Sequence, residues 1–312
     1  MTGLGNGNPY RLIWAAIRSI SEADNYKHRK YGKKQKRHWS LFEALIRAFG
    51  GLLKCTPLFH TGHQNALRIV LNRVDLTFDD LPESFHGYTI LHMTDLHLDF
   101  VPGIENTICS HMANLDVDLC VLTGDYREKT SGGLKSILLP IQRLVSTVNS
   151  KDGILAVLGN HDSYLMVDPF EEMGIRVLAN ESVRITREKE AIWVTGLDDP
   201  YYYFTDLSIR ALEETPEGFK IALVHAPSMF DIAADNGYRF YVCGHTHGGQ
   251  ICLPGGIPVM LHLRHGRKYY RGLWLHNGML GYTGQGTGTV GIPVRFNTQS
   301  EITLFCLKRK QI

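Results

Sequence analysis

Apolar residues recur along this chain with two periods, and the change from one to the other comes near residue 67. Upstream, Leu41, Leu45, Phe49 and Leu52 recur at helical spacing with Phe42, Ile46 and Leu53 beside them, which predicts an amphipathic helix with one greasy face. Ser40-Leu41-Phe42-Glu43 has the form of a capping box at its start. Residues 10–20 (YRLIWAAIRSI) predict a short helix ahead of it. Downstream, residues 67–78 alternate as a half-buried strand does. Five apolar runs then each end in polar, chemically capable residues: TILHMTD, DLCVLTGD, GILAVLGN, KIALVH and RFYVCGH. Helical stretches such as 134–148 separate them.

Strands alternating with helices predict an α/β domain with a largely buried sheet covered by helices. In open α/β sheets ligands collect beyond the carboxyl ends of strands, and here every run delivers its polar residues at that end. The pattern divides the chain into an N-terminal arm, residues 1–65, and a catalytic domain, residues 66–312.

Charge changes the picture only for the arm. The net charge of +2 is unremarkable, but residues 27–37 (KHRKYGKKQKR) carry seven Lys/Arg and no acid, leaving −5 for the rest. A basic block leading into an amphipathic helix suggests contact of residues 27–54 with an anionic membrane surface. Nucleic acid is the alternative partner, and packing of the helix on the catalytic domain is the plain structural one. With 44% hydrophobic and 21% charged residues, global disorder is excluded. The six cysteines have no CxxC pair, and Cys120, Cys243 and Cys306 sit in apolar runs, which suits a reducing compartment. The start lacks a signal-peptide layout, and no stretch approaches ~20 uninterrupted apolar residues. The expectation is a cytoplasmic protein, peripheral at the inner face of the membrane where the arm touches it.

The candidate chemistry lies at the run ends: Asp95-Leu96-His97, Gly124-Asp125, Gly159-Asn160-His161-Asp162, His225 and Gly244-His245-Thr246-His247-Gly248-Gly249. Setting His161 aside, Asp95, His97, Asp125, Asn160, His225, His245 and His247 form an O/N ligand set suited to Mn, Fe, Zn or Mg. Seven ligands exceed what one catalytic ion with an open position takes, and they suit two ions sharing Asp125. Two ions ~3.5–4 Å apart can hold a hydroxide and clamp the oxygens of an in-line displacement at phosphorus. Imidazoles at both His245 and His247, directly after an apolar strand, add nothing to packing and point to chemistry. His92, within a strand run, reads instead as a core residue.

These blocks, in this order over about residues 68–307, resemble the calcineurin-like metallophosphoesterase superfamily. The resemblance implies a four-layer α/β/β/α sandwich of two mixed sheets covered by helices, with the N-terminal helical extension added. It implies two divalent ions, the first held by Asp95, His97 and His247, the second by Asn160, His225 and His245, with Asp125 bridging. His161 would then act on the phosphoryl group and Asp162 would orient it. The family often has a second acid three residues after the bridging Asp. Here the stretch is Tyr126-Arg127-Glu128, where Glu128 would substitute and Arg127 is a candidate substrate phosphate contact or a surface arginine.

The stretches GHTHGGQICLPGG, GLDDP and GYTGQGTGTVGIPVRF resemble a narrower, membrane-associated bacterial phosphodiesterase branch that includes a UDP-2,3-diacylglucosamine hydrolase of lipid A biosynthesis. That branch implies a nucleotide-linked lipid as the phosphoester substrate. The alternatives are a soluble phosphodiesterase or phosphoprotein phosphatase, and a non-catalytic metal-binding scaffold. The Gly-rich tail lacks a Gly-Lys-Ser/Thr ending and reads as a close-packed loop near the metals. His262 and His265, with Arg264, Arg267 and Lys268, are candidates to flank the substrate groove, and Tyr201–Phe204 to cover it.

Overall fold

The computed structural model describes the backbone of residues 9–31 and 35–311, and side chains within 10–24, 44–46 and 48–311. Twelve strands build its two large sheets, numbered here in chain order: β1 (Ile69–Phe78), β2 (Tyr88–Met93), β3 (Leu119–Leu122), β4 (Ile154–Ala156), β5 (Ile175–Val177), β6 (Glu181–Arg187), β7 (Glu190–Gly196), β8 (Phe219–Leu223), β9 (Phe240–Cys243), β10 (Gly272–His276), β11 (Met279–Thr283) and β12 (Ser300–Arg309). The first sheet runs β1-β12-β2-β3-β4-β5 and the second β10-β11-β9-β8-β7-β6. Both are mixed. β2, β3, β4 and β5 pair in parallel, as do β7, β8, β9 and β11, while β12 meets β2 antiparallel and two hairpins edge the second sheet.

Alternation along the central strands decides the layers. Ile90, Leu119 and Val121 of the first sheet meet Val194, Ile221, Leu223 and Val242 of the second in one apolar core between the sheets. Within it Phe78 lies edge-on to Phe219 at 5.0 Å and Phe240 edge-on to Phe305 at 5.1 Å. Such pairs add ~0.5–1.5 kcal/mol beyond their buried area. The intervening residues, Leu91, Met93, Cys120 and Leu122, face outward against helices. Because both faces of these strands are covered, they read as continuous apolar runs.

The helices are α1 (Pro9–Tyr31), α2 (Gln35–Lys54), α3 (Pro57–Leu67), α4 (Ile104–Met112), α5 (Lys135–Thr147), α6 (Val167–Glu172), α7 (Asp206–Glu213) and α8 (Phe230–Asp235). Residues of α1, α4, α5 and α6 cover the outer face of the first sheet. Those of α7 and α8 cover the second, completing the four-layer sandwich. Helix α2 begins at Gln35 and not at the Ser40 capping box, so Ser40 lies inside it. Helix α1 runs well past residue 20. One face of each is spoken for: Trp14 and Ala15 enter the core, and Ile46 and Leu53 pack with Phe59 on Ile292 and Val294 of the Gly-rich tail. The basic block at 27–37 lies outside the residues whose side chains are described. Among the described residues, no helix is long and apolar enough to cross a membrane.

Candidate metal centre

Parallel pairing brings the carboxyl ends of β2, β3, β4, β8 and β9 to one edge, where the two sheets meet. The backbone there is unusual. Asp95, His97, Asp125, His245 and His247, five of the seven candidate ligands, have φ between 40° and 73°. Left-handed backbone costs a non-glycine residue roughly 1–3 kcal/mol and persists only where its surroundings impose it. That conformation is how both side chains of Asp-x-His and of His-x-His turn the same way. The neighbouring glycines are required for closeness: a Cβ at Gly244 would stand 1.9 Å from Thr94 Oγ1 and 2.4 Å from Asp95 Oδ2.

All seven candidate ligands converge. His97 Nε2 lies 3.2 Å from His247 Nε2, and His247 Nε2 lies 3.5 Å from Asp95 Oδ1. His225 Nε2 lies 3.4 Å from Asp125 Oδ2, 3.1 Å from Asn160 Oδ1 and 3.2 Å from His245 Nδ1. His245 Nδ1 is in turn 2.8 Å from Asn160 Oδ1. Asp125 Oδ2 spans both halves, since it also lies 3.8 Å from His97 Nε2.

The outer ring nitrogens fix the tautomers. His97 Nδ1 donates to the Arg127 carbonyl at 2.9 Å, His225 Nδ1 to Thr123 at 2.7 Å and His245 Nε2 to His262 at 3.0 Å. In its neutral form each therefore turns a lone pair inward, the arrangement metal-bound imidazoles adopt. The centre is then a cluster of acceptors: two carboxylates, an amide oxygen and imidazole nitrogens only 3.2 Å apart. Nitrogens that close must share either a proton or a cation. Asp95, His97 and His247 are close enough together to hold one ion, and Asp95, Asp125 and His225 lie as close. Divalent metals thus fit the donors present.

Electrostatics agrees. Burial holds the His97 imidazole down at about 4 and those of His245 and His247 well below the usual range, keeping the rings neutral as ligands must be. Burial alone would lower His225 as well, yet Asp125 and Asp95 push it up to about 10. A centre that draws in a proton so strongly also draws in a cation.

The calcineurin-like phosphoesterase family matches residues 88–249, more than half of the sequence. The chain belongs to that family. It is a metal-dependent phosphoester hydrolase. It is 27% identical over 264 residues to the uncharacterized metallophosphoesterase YkoQ of Bacillus subtilis, covering 81% of this chain and 95% of that one. It is 26% identical over 234 residues to phosphodiesterase YaeI of Escherichia coli, covering 70% of this chain and 81% of that one. Among solved structures, the phosphopantetheinyl hydrolase PptH of Mycobacterium tuberculosis superposes with a TM-score of 0.41 at 13% identity, over 67% of this chain and 91% of that one.

Around the ligands, the remaining candidates take definite places. His161 is partly exposed, its Nε2 3.9 Å from Asp125 Oδ2. Its Nδ1 donates to the Glu128 carbonyl at 2.5 Å. The His161 ring is thus held by the Glu128 carbonyl and not, as the sequence predicts, by Asp162. The buried Asp162 carboxylate accepts instead from the backbone N–H of Asp125 and Gly159 at 2.7 Å each and of Tyr126 at 2.9 Å. Burial, with Asp125 nearby, pushes its carboxyl up to about 6, against the pull of those donors. Arg127 is not a surface residue: it is buried, with Nε donating to the His161 carbonyl at 2.8 Å. Glu128 meets His161 through a backbone carbonyl that any residue has, so the missing family Asp leaves that contact intact.

At the rim, the Tyr201 ring lies 4.9 Å from His245 and 5.2 Å from His262, with Arg264 5.4 Å over it. His265 pairs with Asp231 at 3.4 Å and stacks on Phe230, Arg267 donates to the Leu263 carbonyl, and Lys268 lies over Tyr269. The Gly-rich tail does close over the centre, with Thr287 and Gly288 donating to the carbonyls of Thr94 and Asp95. Arg295 staples it: fully buried, it donates to the carbonyls of His247, Gln285, Gly286 and Gly288. Asp99 caps the next loop through Glu128 N–H at 2.6 Å. His92 is a core residue, bonded at 2.7 Å to Thr123 Oγ1 and held down at about 3 by burial.

Proposed function

We propose that Asp95, His97, Asp125, Asn160, His225, His245 and His247 hold two divalent ions with Asp125 between them, and that the chain hydrolyses a phosphodiester or pyrophosphate bond. The observation that carries this reading is the convergence of two carboxylates, an amide oxygen and four imidazoles, with the outer nitrogens of His97, His225 and His245 held on backbone carbonyls. When bound, the ions supply Lewis acidity and an activated water; Mn, Fe, Zn and Mg all suit these donors.

The protein's own residues then have distinct tasks. The Glu128 carbonyl holds His161 with Nδ1 protonated, so Nε2 is the free position, and with the ring in its imidazolium form Nε2 is the atom that would deliver a proton to the departing oxygen. Arg127 and Asp162 fix the backbone on either side of it. Tyr201, His262 and Arg264 form an aromatic and basic wall beside His245, suited to the group on the far side of the scissile bond.

For the substrate, the reading is a nucleotide-linked lipid such as UDP-2,3-diacylglucosamine, presented at an anionic membrane surface. What supports it is apolar surface left outside the core: Ile13, Ile17 and Ile20 on α1, Leu45, Phe49 and Leu52 on α2, and Val259 and Met260 on the loop before His262. The seven Lys/Arg of residues 27–37 run in sequence from the end of α1 to the start of α2. Purified protein with Mn²⁺ is offered bis-p-nitrophenyl phosphate and detergent-solubilised UDP-2,3-diacylglucosamine. Cleavage of both, with preference for the lipid, is expected. An intact lipid beside a hydrolysed soluble diester would reject the lipid substrate and keep the diesterase.

A further inference from the structure

Arg18 sits on α1, far in sequence from every candidate ligand, and its guanidinium is fully buried. Its five donors reach four acceptors in three segments, its own helix included. Nε meets Glu22 at 2.9 Å and Nη1 meets Asp198. Nη2 donates to the carbonyl of Gly159 at 3.1 Å and to that of Asp162 at 3.0 Å. Those last two carbonyls are the ends of the turn that carries Asn160 and His161. Tyr203 covers the guanidinium face at 3.3 Å. Trp14, one turn earlier, donates to the other Asp198 oxygen at 2.7 Å, and Glu22, one turn later, accepts from Ser163 Oγ and Tyr164 N–H.

A buried ion pair is a poor device for stability, since desolvation offsets most of the attraction, and apolar residues of the same volume often do as well. What a planar fork does that they cannot is fix two carbonyls at a set separation. We infer that Arg18 is a positioning residue through which the N-terminal helix sets the geometry of the Gly159–Asp162 turn, and with it one candidate ligand and the proton donor of the reaction. The inference deepens the proposed phosphoesterase reading and rests on it. It also makes deletion of the arm ambiguous, because deletion removes this brace together with any membrane contact. Point variants separate the two.

Arg18→Met and Arg18→Lys in the full chain test it by two readouts: Mn²⁺ binding, followed by electron paramagnetic resonance of the free ion, and steady-state hydrolysis of bis-p-nitrophenyl phosphate. Displacing a catalytic group by about 1 Å costs on the order of 100-fold, so kcat of Arg18→Met should fall about 100-fold with KM within about threefold. One of the Mn²⁺ sites should weaken, and Arg18→Lys should lie between. Should Arg18→Met fail to fold, Arg18→Lys decides. Variants with the parent's kcat per folded molecule and the parent's Mn²⁺ isotherm would overturn the inference, whatever their melting temperatures. If the parent itself does not turn over the diester, the functional reading fails, and the isotherms still decide on Arg18.

Discussion

Replacing Asp162 by Asn alters one side-chain atom and should loosen the whole centre. The Oδ2 atom accepts from Asp125 and Gly159, each at 2.7 Å, and Oδ1 accepts from Tyr126 at 2.9 Å. An amide oxygen can keep the first two bonds at neutral strength, losing on the order of 1 kcal/mol of charge assistance for the pair. The amide NH2 must then face the Tyr126 N–H, donor against donor in a buried site, at about 1–3 kcal/mol. The sum is about 3 kcal/mol. With an m value of about 3 kcal/mol per M, the urea midpoint of the variant should fall by about 1 M. Because Asp125 and the His161 turn share this clamp, kcat on bis-p-nitrophenyl phosphate should also fall, by about 100-fold. Urea melts followed by tryptophan fluorescence, with activity measured at zero urea, check both. A midpoint within about 0.3 M of the parent's would refute the clamp, since even the single donor clash is worth more than that.

Other outcomes follow from the same geometry. His161→Gln should cut kcat by about 100- to 10,000-fold while elemental analysis finds the parent's metal content; metal loss in step with activity would make His161 a ligand. Gly244→Ala places a Cβ 1.9 Å from Thr94 Oγ1 and 2.4 Å from Asp95 Oδ2, so it should destabilise by about 1–3 kcal/mol in thermal melts and weaken metal binding. Parent-like melting and affinity would show that the strand ends separate freely. Asp118 tests pH dependence away from the centre. Burial would raise its carboxyl, but Lys151, the Thr89 N–H and Arg187 outweigh that and hold it at about 2. Its stabilisation is full above the unfolded value of about 4 and fades as pH falls toward 2. Asp118→Asn should therefore melt below the parent at pH 7, with the gap narrowing as pH falls to 2.5. A constant gap would contradict the assignment.

Much of this was legible in the chain because the signals are local. An apolar run that ends in Gly-Asp or Gly-His-x-His carries strand, strand end and ligand in fewer than ten residues, and the five runs became β2, β3, β4, β8 and β9. The hairpins β6/β7 and β10/β11 gave no such signal, since they stand at the edges of the second sheet with many half-exposed positions. Ser40-x-x-Glu43 marks a helix start only if the chain before it is not already helical, and α2 begins at Gln35.

Long-range contacts were beyond reach. Arg18 reads as an ordinary polar residue on an amphipathic helix, and nothing local announces a partner 180 residues away in GLDDP. Arg295 and Asp99 likewise act on backbone carbonyls and N–H groups, which leave no trace in residue type. The role of Asp162 misled for the same reason. A carboxylate beside a histidine suggests a side-chain pair, whereas three backbone donors take it here. Strand alternation would also send the two members of Asp-x-His to opposite faces. Only the left-handed backbone at Asp95 and His97, which the surrounding loops impose, brings them to one centre.

Seven residues holding two ions with Asp125 between them is a statement about electron density. Anomalous diffraction from crystals grown with Mn²⁺ tests it most directly. Two anomalous peaks are expected, one bounded by Asp95, His97 and His247 and the other by Asn160, His225 and His245, with Asp125 reaching both. A single peak that Asp125 does not touch, or none at this edge of the sheets, would contradict it.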